Sequence, residues 1–214
     1  MSGAAPGRVG LPQHARIAQL ALLALAGFVV TALWTQIARQ DLDWVQATLS
    51  LYLHGPWGLA LRTAYCVLGV AIMLLAWALH DASRSPRRSA AAPLLFCMAA
   101  LGLLGVAIGD SWLPETAPLL APLIHALAAN MAFLCVSVAM LLQSWYLRAD
   151  PHWGRWASVA WWWAWLCFAL LWLHVLWRGP PRGAGQKLVI AAVVLWLAAT
   201  ALQVWRTARR GRTS

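Results

Sequence analysis

Six stretches of this chain are each long and apolar enough to cross a lipid bilayer, and nothing else in it constrains the fold as strongly. A crossing helix needs roughly 20 mostly apolar residues. The stretches fall at about residues 15–37, 56–80, 91–109, 119–142, 157–177 and 188–205 of the 214. Inside lipid every backbone N–H and C=O must be paired within its own segment, so each stretch is expected to be α-helical. The connections are short, which makes neighbouring helices antiparallel. Composition agrees: 62 % of the residues are hydrophobic and 10 % charged, against about 45–50 % and about 25 % in soluble domains. So few charges cannot coat a globule, which excludes a soluble enzyme, a disordered chain and a secreted disulfide scaffold. The expected fold is all-α: a compact six-helix transmembrane bundle over 15–205. An N-terminal tail, 1–14, and a basic tail, 206–214, flank it.

On a membrane protein the net charge of +10 reports orientation first. With both termini inside, the inner face carries Arg8, Arg16, Arg84, Arg87, Arg88, Arg148, Arg155, Arg206, Arg209, Arg210 and Arg212. The outer loops carry only Arg39, Arg178, Arg182 and Lys187. Eleven against four predicts a membrane protein with both termini on the cytoplasmic side. The basic tails would lean on anionic headgroups. A nucleic-acid partner is not expected, because no soluble basic face with base-stacking aromatics exists. The apolar run 17–33 exceeds the ~7–15 residues of a signal-peptide core, so the first span is expected to remain uncleaved.

The four cysteines, Cys66, Cys97, Cys135 and Cys167, each lie alone in a different apolar stretch, with no CxxC pair. They read as small buried hydrophobes. Of the sixteen tryptophans, Trp34, Trp57, Trp77, Trp112, Trp145, Trp153, Trp156, Trp177 and Trp205 sit near span ends, as interfacial anchors do. Trp161, Trp162, Trp163 and Trp165 open the fifth span and point all round it. They read as lipid-facing anchors, or as the wall of an aromatic pocket.

The segment 39–55 is too polar to span. Trp44, Val45, Thr48, Leu49 and Tyr52 recur at helical spacing, and Asp41 or Asp43 can cap the start. The spacing predicts a short amphipathic helix on the outer surface, either a connector or a lid.

Ionisable groups at membrane depth usually face the bundle interior or a water-filled space. On span two, Arg62, Cys66, Gly69, Met73 and His80 share a face. On span three, Gly102, Gly105 and Gly109 make a close-contact arc. On span four, His125, Ala129, Ala132, Val136 and Ala139 share a face whose small residues permit tight packing. Asn130, Ser137 and Ser144 make a second stripe there. On span five, Trp163, Cys167, Leu170 and His174 align. Arg62, Asp110, His125, His174 and Lys187 all fall in the outer half. With Tyr52, His54, Gln186 and Glu115 they either line one polar, outward-facing cavity or stand as ordinary span-end groups in the headgroup region, satisfied by ion pairs and water. The inner half offers only His80, Gln143 and Ser144, so no charged path crosses the bilayer.

These residues carry a family likeness. Leu49-Ser50-Leu51-Tyr52 precedes Gly55 and span two, and Gly69 lies within that span. Gly109-Asp110 closes span three, and His125 follows a proline-containing loop. Gly185-Gln186-Lys187 opens span six, with Trp196 further in. In their order and outer placement, over about 16–205, the chain resembles the bacterial and archaeal six-helix membrane family catalogued as DUF998, a domain of unknown function. It departs from that pattern at Ile108-Gly109, where a Phe-Pro-like pair is expected, and at Gln186-Lys187, where Glu-Arg is commoner. The resemblance implies the fold and topology and no reaction.

Two functional readings follow. In the first, the protein is not an enzyme and needs no cofactor. It binds a lipid or other amphiphile in the outer cavity, or serves as an accessory subunit beside a membrane-protein partner or a second copy of itself. Tyr52, His54, Arg62, Asp110, His125, His174, Gln186 and Lys187 are its candidate ligand-binding residues, with Arg62 and Lys187 facing an anionic headgroup. In the second, His54, Asp110, His125 and His174 form an open metal site of an intramembrane enzyme, with Asp110 or Glu115 as base. No HExxH pair supports it. A b-type haem between His125 and His174 is a variant of this idea. A transporter would need an internal repeat and a charged pathway, and the chain has neither.

Overall fold

A computed structural model describes residues 13–83, 85, 89–177 and 179–210, without the side chains of Asp110 and Arg210. Six α-helices account for nearly all of these residues: α1 Gln13–Ala38, α2 Gly58–Ala82, α3 Ala91–Thr116, α4 Ala121–Arg148, α5 Gly154–Leu176 and α6 Arg182–Arg210. All six are long and apolar enough to cross a membrane. The 26 residues of α1 rise about 39 Å at 1.5 Å each, more than the ~30 Å hydrocarbon core. The ends therefore tilt or stand in the headgroup region. Helix α3 runs past the expected stop at Gly109 and carries Pro114 in its last turn. Pro122 opens α4, where the missing N–H costs no helical bond. Of the arginines expected on the inner face, Arg8, Arg84, Arg87, Arg88 and Arg212 lie outside the described residues, as does Arg178 of the set expected outside.

Each helix packs on its neighbours in the chain, and α6 closes the ring against α1 and α5. Between lipid-soluble surfaces the hydrophobic effect gives little, so packing and hydrogen bonds hold the helices. The tightest seam joins α3 to α4. A Cβ on Gly102 would lie 2.7 Å from the Ala128 carbonyl and 2.7 Å from the Ala132 nitrogen. Gly102 and Gly105 of the α3 glycine arc thus meet α4 at Ala128 and Ala132, whereas Gly109 faces Leu113 of its own helix. Ala132, Val136 and Ala139 are all buried. At the far side Trp196 is fully buried; its indole N–H donates to the Ala160 carbonyl at 2.9 Å and its ring stacks on Phe96. One side chain thus ties α6 to α5 and α3.

The segment between α1 and α2 is not the amphipathic helix expected over 39–55. It contains one turn begun by Asp43, whose carboxylate accepts from Val45 N at 2.8 Å, and a five-residue 3-10 helix, Leu49–Leu53. The capping role of Asp43 holds, but the helix does not continue. Tertiary partners take the groups that a helix would have paired. The Val45 carbonyl accepts from Ala184 N at 2.8 Å, and Leu49 N donates to Gln186 Oε1 at 2.8 Å. The segment therefore folds down onto the start of α6 as a lid, burying Ala47, Leu49, Tyr52 and Leu53 and leaving Trp44 exposed. Gly183 allows the approach: a Cβ there would stand 2.3 Å from the Ala47 carbonyl.

Two substitutions test these seams against a control. Gly102→Ala and Gly183→Ala each drive a methyl into fixed backbone and are expected to cost about 1–3 kcal/mol. Gly27→Ala meets nothing within 4 Å and is expected to be neutral or stabilising by up to about 1 kcal/mol. Thermal unfolding of the three variants in one detergent checks the order.

Candidate functional site

An internal cavity of about 80 Å³ lies between α1, α2, α3, α4 and α6. Phe28, Tyr65, Leu68, Leu103, Phe133 and Val193 are among its walls, so most of its surface is apolar. Its polar lining comes from Ser50 of the lid, His125 of α4 and Gln186 of α6. All three belong to the end of the bundle that carries the lid. The cavity is thus an apolar slot with a polar mouth. The tryptophans that open α5 do not line it. Trp163 instead donates to the Ala192 carbonyl at 3.2 Å, and Trp161, Trp165, Phe168 and Trp172 form an edge-on ladder along α5.

The side of the cavity formed by α4 is loosely covered. Helix α4 packs chiefly on α3 and α5, and both α4 and α6 line the cavity. From Ala121 to Met131 no residue of α4 is buried, and burial begins only at Ala132. Small-residue contacts with α3 hold this half of α4, leaving its opposite flank thinly covered.

The sequence-predicted site residues do not gather in one place. His125 and Gln186 meet at the cavity mouth. Tyr52 and Lys187 form the clasp of the lid: Lys187 Nζ donates to the Trp44 carbonyl at 2.5 Å and stands 5.1 Å from the centre of the Tyr52 ring. The Tyr52 ring is fully buried and its hydroxyl is enclosed without a hydrogen-bond partner among the described residues. Burial pushes that phenol above its ordinary pKa. His174 lies elsewhere, in a groove of about 210 Å³ between α5 and α6 with Arg182 and Trp177. His54 is exposed at the end of the lid, and its carbonyl accepts from Arg39 Nη1 at 2.5 Å. Arg39 also grips Asp41 through two bonds of 2.7 Å. That hydrogen bonding holds the Asp41 carboxyl below the usual aspartate range. Arg62 is half-buried, and its Nε–H is enclosed with no partner among the described residues. The side chain of Asp110 lies outside the described set, and Glu115 is exposed.

The single outer cavity expected to gather all these groups is therefore resolved into a central slot, a clasp and a separate α5/α6 groove. No three His, Cys, Asp or Glu side chains gather in metal-binding geometry among the described residues. His125 and His174 line different cavities, which removes the basis for pairing them across a metal or haem. Sequence reasoning missed Ser50 as a mouth residue, and also Phe28, Tyr65 and Phe133 as walls. An apolar residue lining a slot has the same sequence signature as one filling a core.

No curated protein matches the chain, and no solved structure does. One family model, described as a protein of unknown function (DUF998), matches residues 22–203. That is most of the chain, and it includes the lid, the cavity-lining helices and Trp196. The chain, itself a bundle of six helices long and apolar enough to cross a membrane, belongs to the DUF998 family of proteins of unknown function.

Proposed function

We propose that the protein binds an amphiphile, holding part of its apolar chain in the central slot and its polar group at Ser50, His125 and Gln186. The observation that carries this reading is the slot itself: apolar walls with polar residues at one end only. In a bilayer the slot offers a lipid tail little hydrophobic gain, because surrounding lipid is equally apolar. Selectivity must then come from the mouth. Gln186 gives its carbonyl oxygen to Leu49, which leaves its amide nitrogen to donate to a headgroup oxygen. Arg62, three residues before the wall residue Tyr65 on α2, does not line the slot but brings a positive charge to the same half of the bundle. A ligand with an anionic or oxygen-rich headgroup fits that set. The open flank of α4 is the side from which an amphiphile already in the membrane reaches the slot.

In this reading the protein lies in a bacterial inner membrane with both termini cytoplasmic and the lid outside, following its arginine distribution. A role as an accessory subunit is compatible with it. A metal-dependent reaction has less support, because the candidate histidines are dispersed.

Filling the slot tests the proposal without touching the polar groups. Ala129 lines the slot and is half-buried. Ala129→Leu is expected to abolish retention of the co-purifying amphiphile, read by native mass spectrometry, while the unfolding temperature holds or rises. Equal retention by wild type and variant would contradict the slot as the binding site. Gln186→Leu is expected to weaken retention as well, and to destabilise by about 1–3 kcal/mol because the Leu49 N–H loses its partner. Thermal unfolding reads that second effect directly.

A further inference from the structure

At the end of the bundle away from the lid, α1 and α6 border an open groove of about 610 Å³. Its lining is graded. Arg16 and Gln19 of α1 and Trp205 of α6 lie toward the terminus, and Leu20, Leu23 and Leu202 follow toward the membrane centre. Arg209, one turn past Trp205, holds its guanidinium 4.7 Å from the centre of the Trp205 ring. The arrangement fixes a cation beside the groove in addition to Arg16. Neither helix contains a carboxylate. The acid described nearest to the start of α1, Asp81 of α2, is turned to His14 at 3.4 Å. The groove therefore has positive charge at one end, no negative charge from its own walls, and an apolar floor. From Arg16 to Leu23 the helix rises about 10 Å, which matches a headgroup followed by the first part of an acyl chain.

We propose that this groove is a binding site for one anionic phospholipid, separate from the central slot. Its phosphate lies between Arg16 and Arg209, and an acyl chain runs over Leu20, Leu23 and Leu202. Charge complementarity selects the occupant. A zwitterionic lipid brings its own cation to a site that already holds two, whereas a net anionic headgroup lowers the site's positive charge without adding another cation. Trp205 sits at the headgroup level, where an indole is at home, and its contact with Arg209 restricts the guanidinium before any lipid arrives.

The test uses the full chain in mild detergent, titrated with phosphatidylglycerol or with phosphatidylcholine of the same acyl chains. Bound lipids are counted by native mass spectrometry. One phosphatidylglycerol per chain is expected to persist at concentrations where phosphatidylcholine does not, and to raise the unfolding temperature. Arg16→Gln together with Arg209→Gln is expected to weaken that retention at least tenfold. An unchanged unfolding temperature in phosphatidylcholine would show that this variant is folded. Leu23→Trp keeps both charges but fills the floor, and is expected to lose the same lipid. Ala129→Leu, which fills the central slot, is expected to leave it bound. Equal retention of the two lipids, or undiminished phosphatidylglycerol in the double variant, would overturn the proposal. So would displacement by millimolar inorganic phosphate, which would mean that the groove reads a free anion and not a lipid.

Discussion

One side-chain amide joins the two ends of the transmembrane sequence: Gln186 Oε1 accepts the N–H of Leu49 at 2.8 Å across 137 residues. The physical need behind it is general. Backbone polar groups near apolar surroundings must be paired, and helices pair their own. The segment joining α1 to α2 is not α-helical, so its groups need partners from elsewhere. Helix α6 supplies them through Gln186, the Ala184 N–H and Lys187, each meeting the lid within its first two turns. The mouth of the slot follows from that arrangement, because the same contacts bring Ser50 and Gln186 to one place.

The slot depends equally on how unevenly the bundle is packed. Glycine and alanine bring α3 and α4 into backbone contact at Gly102, and Trp196 fills the space between α6, α5 and α3. These two anchors leave the first half of α4 thinly covered. The slot lies between α4 and α6, closed by bulky walls on the remaining sides. A cavity beside an incompletely covered helix can exchange contents with the membrane, whereas a sealed one cannot. Polar groups confined to one end give any occupant a direction.

Much of this was legible in the sequence, and the rest was hidden for identifiable reasons. The six helices follow from length and hydropathy because lipid permits no alternative. Helical spacing marks the α3 glycines and the small residues of α4 as close-packing faces, but does not say that Gly102 meets Ala128 and Ala132. His125 and Gln186 emerge as neighbours because both were placed in the same half of the bundle. The lid was misread because Trp44, Val45, Thr48, Leu49 and Tyr52 do recur at helical spacing. Local periodicity cannot register that Val45 and Leu49 are claimed by α6, far along the chain. His174 was grouped with His125 by depth alone; depth does not say which side of a helix faces which cavity. Lys187 was read as a headgroup ligand, and the structure instead engages it with the Trp44 carbonyl and the Tyr52 ring.

The central claim is that the segment 39–57 is a docked lid and not a free connector. Amide hydrogen exchange on the protein in a lipid nanodisc tests it most directly. The amides of Ala47, Leu49 and Ala184 are bonded to Asp43, Gln186 and Val45 respectively. They are expected to exchange slowly, within reach of the helix interiors, although two of them lie outside the six helices. Exchange of peptides covering 39–57 at the rate of an unstructured loop would contradict the lid, and with it the polar mouth that the lid helps to build.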